Sequence, residues 1–131
     1  MTIKGVLWRF ALAYTVALFA VGYIVGLLGF NGSTGVNIAI LASCVWWVCT
    51  AFGKANGRYF TSGEKAAVVV GLILIDVALQ FVGTFAVLSQ RESAVNSDAM
   101  LFALALVGLL HAAGIYFFVG AAGRHAVKPT A

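Results

Sequence analysis

The chain has 131 residues, of which 63% are hydrophobic and 9% charged, with a mean hydropathy of +1.04. A soluble domain carries about 25% charged residues, so this composition excludes a water-soluble fold and leaves one compact membrane-embedded unit. The net charge of +4 is not a nucleic-acid signal, because the cations cluster at the ends of apolar runs. There they set topology and meet lipid headgroups.

The amino end carries Lys4 and Arg9, with Trp8 at the position of an interfacial aromatic. Residues 10–30 then run without a charge, and about 20 apolar residues suffice to cross the hydrocarbon core. A signal peptide would have a shorter apolar region, of about 7–15 residues, so this run reads as a retained span. Within it, Gly22 and Gly26 form a Gly-x-x-x-Gly pair. Such a pair removes side chains from one helix face and favours close approach of another helix. Packing against a neighbouring span of the same chain is the expected use, ahead of a homodimer interface.

Asn31 to Gly35 reads as a tight turn, and the second span covers about residues 36–52. Cys44 and Cys49 lie in it five positions apart, roughly 140° around a helix, so they do not pair with each other. With no further ligands nearby they make no metal site. The stretch from Gly53 to Lys65 organises the chain. It holds Lys54, Arg58, Glu64 and Lys65 between two long apolar runs, so it lies in water or among headgroups. Asn56-Gly57 signals a turn. Thr61 and Glu64 match a capping box, in which hydroxyl and carboxylate satisfy free amides at a helix start; this predicts a third helix from about Ser62. Arg58 and Lys65 are read first as membrane anchors and second as contacts for a partner.

Gly35-Val36-Asn37-Ile38, followed by Phe52-Gly53-Lys54, Asn56-Gly57-Arg58, Thr61 and Glu64-Lys65, resembles a family of small bacterial four-helix inner-membrane proteins. Some proteins of that kind resemble immunity proteins encoded beside toxins delivered by type VI secretion. The resemblance covers about the second quarter of the chain and implies an architecture, a bacterial inner-membrane location and a toxin or complex subunit as membrane partner. It implies no site residues.

The third span covers about residues 66–88 and contains Asp76, ten residues in, or ~15 Å deep. An aspartate at that depth costs ~2.5–3.5 kcal/mol on insertion scales and generally faces a bundle interior or a wet cavity. Gln80 and Thr84 follow at helical spacing, extending a polar stripe. Ser89 to Asp98 reads as a loop, and Asn96, Ser97 or Asp98 as the cap of a fourth span over about residues 99–121. His111 lies ten residues from that span's end, matching the depth of Asp76, with Gly108 and Ala112 as a small-residue pair around it. Gly123, Arg124, Lys128 and Pro129 are expected to end the helix.

Lys4, Arg9, Lys54, Arg58, Lys65, Arg124 and Lys128 fall on one side and Arg91 alone on the other. Positive residues stay cytoplasmic, so the expectation is an all-α, four-helix antiparallel transmembrane bundle with both termini inside. Asp76 and His111 are the only ionisable groups deep in the apolar runs and are expected to face each other. A polar clamp fixing helix register is the bland reading and a proton-coupled site the sharp one. One Asp and one His make no triad, metal set or paired-carboxylate site, and no Rossmann, Walker or HExxH motif occurs. The expectation is a non-enzyme without cofactor or metal: an immunity protein that neutralises a membrane-acting toxin. The alternatives are an accessory subunit and a proton-coupled exporter acting as a homodimer. The last resembles small multidrug exporters in size and span number, but those carry their essential carboxylate in the first span, and this first span has none.

Overall fold

The structure, a computed structural model, describes residues 1–29, 34–89 and 97–126. It contains four helices: α1 (Ile3–Leu27), α2 (Thr34–Asn56), α3 (Ser62–Leu88) and α4 (Ser97–Ala126). Each is long and apolar enough to cross a membrane, which marks a multi-pass membrane protein. Large apolar side chains point outward on every helix, among them Phe19, Trp47, Phe85 and Phe102. In water such coverage would be an aggregation surface; against acyl chains it is the ordinary exterior.

The helices are longer than the apolar runs, because backbone hydrogen bonding does not stop where the hydrocarbon does. The Thr2 hydroxyl caps α1 by accepting from the Gly5 amide at 3.2 Å, so Lys4 and Arg9 ride on the first turns of the helix. α2 continues through Gly53 and Lys54, so the central hydrophilic stretch is mostly helical and only residues 57–61 link α2 to α3. Gly57, at φ +63°, makes that turn in the left-handed region where side chains are strained. α3 starts at Ser62 with the Thr61–Glu64 capping box in place. The Thr61 amide donates to the Glu64 carboxylate at 2.9 Å, and the Glu64 amide approaches the Thr61 hydroxyl at 3.4 Å.

α4 does not end at Gly123 and Arg124 as the sequence suggested; it runs on to Ala126. Gly123 serves packing instead. A Cβ there would meet the Tyr59 ring at 2.5 Å, and the Tyr59 hydroxyl donates to the Val119 carbonyl one turn earlier. The two loops expected on the other side fall mostly on residues 30–33 and 90–96, and the tail on 127–131, all outside the described residues.

Among the described residues the helices form a ring. α1 packs on α2 and α3, and α4 packs on α2 and α3, with α2 against α4 the most extensive pairing. Burial is uneven along this ring. The fully buried side chains lie in α1 up to Tyr14, in α2 from Leu41 onward, in α3 up to Asp76 and in α4 from His111 onward. In the complementary halves no described side chain is buried. The bundle is therefore closed at the end bearing Met1, the 57–61 link and Ala126, and splayed at the other.

The closed end is secured by polar and aromatic contacts. The Met1 ammonium donates to Asn56 Oδ1 at 2.6 Å, and Asn56 Nδ2 donates to the Met1 carbonyl at 3.0 Å. Phe52 stacks on Phe60 with ring centroids 4.1 Å apart, and Trp46 lies 5.2 Å from His125. Arg58 grips Glu64 with two bonds of 2.7 and 2.9 Å; hydrogen bonding to that carboxylate raises the guanidinium above its ordinary range. Lys65 sits 5.4 Å from the Tyr116 ring, and Lys54 is exposed in the last turn of α2.

The glycine pairs expected to hold the helices together do not do so. A Cβ added to Gly22, Gly26 or Gly108 would meet nothing within 4 Å, because all three lie in the splayed halves of their helices. Gly108 accordingly brings no backbone close, while Ala112, half-buried, lies just past His111 in the closed half. The close approaches occur at Gly53, Gly71 and Gly123, where an added Cβ would strike Ala126, Leu7 and Tyr59.

Candidate functional site: an intramembrane polar cluster and its cleft

Where the closed half gives way to the splayed half, four polar side chains from three helices converge. Asp76 and Gln80 stand one turn apart on α3, so both face the same direction. The Asp76 carboxylate is 1% exposed and accepts from the Tyr14 hydroxyl of α1 at 2.8 Å and from Gln80 Nε2 at 2.6 Å. His111 of α4, also 1% exposed, places Nδ1 at 3.0 and 3.1 Å from the two carboxylate oxygens and at 2.8 Å from Gln80 Nε2. Its second nitrogen, Nε2, is buried and has no hydrogen-bond partner.

The fold thus brings together Asp76, Gln80 and His111 of the polar set read from the sequence. Thr84, two turns beyond Asp76, has no bond to the cluster; it lines the cleft that opens above it. Tyr14 is the member that sequence reasoning left out. Its signal was a phenol among apolar residues at mid-span, but its partner depends on the α1–α3 contact.

The cleft has a volume of about 740 Å³. Tyr14, Gln80 and His111 form its floor, residues such as Leu18, Leu79, Leu104 and Val107 its walls, and Thr15, Asn37 and Thr84 add isolated polar groups. Among the described residues no Lys, Arg, Asp or Glu lines it, since Asp76 stands behind the other three.

No protein family, characterised protein or solved structure matches this chain.

Among the described residues no three His, Cys, Asp or Glu side chains lie close enough to hold a metal ion. Cys44 and Cys49 are free thiols packed in the core. Within the cluster Asp76 is the single carboxylate, and its contacts are hydrogen bonds to Tyr14, Gln80 and His111. An aspartate in hydrocarbon is stabilised only if its oxygens are matched by donors, and here every oxygen has them.

Proposed function

We propose that this protein is a small transporter of the bacterial inner membrane that moves a small, largely apolar solute in exchange for a proton. The observation supporting this reading is that an apolar cleft of about 740 Å³ ends on the buried Asp76–His111 pair. Site volumes of about 300–1,000 Å³ with apolar walls and a few convergent polar groups are typical of small-molecule binding, and ionisable groups at mid-membrane often mark proton paths. The helices alternate in direction and both termini are cytoplasmic, as the cation bias argues. The closed end then faces the cytoplasm and the cleft opens toward the opposite side. No catalytic role, cofactor or nucleic acid enters this reading.

Inverted membrane vesicles test it. A panel of apolar neutral and cationic dyes is added to vesicles holding an imposed pH gradient, and proton movement is read by acridine fluorescence. Solute-dependent collapse of the gradient is expected with the wild-type chain and lost in Asp76→Asn. Equal responses from wild type and Asp76→Asn across the panel would refute the transport reading.

A second reading is favoured by a different observation. Among the described residues nothing lies within 4 Å of a Cβ added at Gly22 or Gly26 of α1, which leaves room there for a helix from another protein. That suits an immunity protein engaging a membrane-inserted toxin, an accessory subunit bound in a complex, or a homodimer. Crosslinking from Gly22→Cys in native membranes separates these outcomes by the mass of the captured partner.

A further inference from the structure

We propose that the closed end of the bundle carries a binding site for one anionic phospholipid of phosphatidylglycerol type, whose phosphate is held between Lys65 of α3 and Arg124 of α4. The site lies on the outer surface of the bundle, at the end away from the mouth of the cleft.

Tyr116, Gly120 and Arg124 follow one another at four-residue steps along α4, so they form one row on its surface. Lys65, at the start of α3, reaches across to this row. Its ammonium lies 5.4 Å from the centroid of the Tyr116 ring and would stand 3.5 Å from a Cβ added at Gly120. The ring face attracts the ammonium, and the absent side chain at Gly120 leaves a shallow notch for it. Arg124 stands one turn beyond Gly120, ~6 Å along the helix axis, and is exposed.

Two neighbouring cations repel each other unless an anion lies between them. Among the described residues no ion pair engages Lys65 or Arg124. Glu64 is next to Lys65 in sequence, but both its oxygens accept from Arg58, and one of them also from the Thr61 amide. Asp76 is buried against His111, and Asp98 belongs to the first turn of α4, at the other end of that helix from Arg124. The counter-charge therefore has room to come from outside the chain.

The surroundings favour a lipid over a soluble phosphate. Tyr116 and Phe117 are 65% and 61% exposed on a helix apolar enough to cross a membrane, so acyl chains cover the surface below the two cations. Lys65 and Arg124 stand at the ends of their apolar runs, at headgroup level, and basic pockets between spans take anionic headgroups. A lipid phosphate can accept charge-assisted hydrogen bonds from both cations while its acyl chains run along α4 past Tyr116 and Phe117. A headgroup with its own ammonium would add a third positive charge, so a net-negative headgroup is preferred.

The experiment titrates the full chain, purified in mild detergent, with phosphatidylglycerol and with phosphatidylcholine of the same acyl chains, and counts bound lipid by native mass spectrometry. One phosphatidylglycerol is expected to bind about fivefold more tightly than phosphatidylcholine. Lys65→Gln and Arg124→Gln should each weaken its binding about fivefold, the effect of one basic residue beside a headgroup, and leave phosphatidylcholine binding unchanged. Lys65→Arg should retain the preference. Lys4→Gln removes the same charge from α1, which lies across the ring from α4, and should change nothing. Equal binding of the two lipids to the wild-type chain overturns the site, and this comparison stands even if a variant fails to fold. Equal losses in Lys4→Gln and Lys65→Gln overturn it in favour of diffuse charge attraction. Displacement of the lipid by inorganic phosphate at matched concentration overturns the lipid as occupant and leaves a soluble-anion site.

Discussion

At the residue scale, the Asp76 carboxylate is held by the Tyr14 hydroxyl, the Gln80 amide and the His111 ring, and these partners are not equivalent. Tyr14→Phe removes one donor and leaves the ring packed beside Phe10, whose centroid is 5.2 Å away. Its expected cost is about 1 kcal/mol of stability, read as a lowered unfolding midpoint in detergent. Asp76 and His111 are in direct contact, so their substitutions should not add. A double-mutant cycle with Asp76→Leu and His111→Leu is expected to give a coupling energy of about 0.5–3 kcal/mol. Each single variant strands a buried polar partner, and the double variant strands neither. Additive single effects would mean that the contact is energetically idle.

At the element scale, the closed end depends on how near α2, the link and α4 come to one another. Gly123→Leu should drive a side chain into Tyr59 and displace its bond to the Val119 carbonyl, costing about 1–3 kcal/mol by overpacking. Gly22→Leu and Gly26→Leu meet open space and should leave the isolated chain's stability within about 0.5 kcal/mol. Measured by the same melting assay, the reverse order of sensitivity would contradict the tapered packing. The start of α3 is a separate device: Thr61→Val removes the hydroxyl of the capping box and is expected to cost about 1 kcal/mol, fraying Ser62 to Lys65 without disturbing the cluster.

At the scale of the whole molecule, the bundle is a cup. One end is sealed by Met1–Asn56, Phe52–Phe60 and Trp46–His125, and the other holds the cleft above the polar floor. The direction of the cup in the membrane decides toward which side the cleft opens. With Cys44 and Cys49 replaced by alanine, Lys54→Cys and Arg124→Cys are expected to react with an impermeant maleimide only after cells are opened. Asp98→Cys is expected to react in intact cells. The opposite pattern would invert the proposed topology and point the cleft at the cytoplasm.

The sequence by itself determined the four spans, the hydrophilic break between the second and third, and the start of α3 at Ser62. These follow from hydropathy along the chain and from the local chemistry of Thr61 and Glu64. It also singled out Asp76, Gln80 and His111, because polar groups stand out in hydrocarbon. Only the tertiary structure decided which faces meet. Lipid and protein interior are both apolar, so a membrane helix carries little amphipathic signal to tell its packed side from its lipid side. For that reason Gly22 and Gly26 could be read as packing residues although they face open space, and Gly123 as a helix end although it receives Tyr59. Tyr14 could not be joined to Asp76, 62 positions away. The splay of the bundle, and with it the cleft, arises from the same interhelical distances and leaves no trace in any one span.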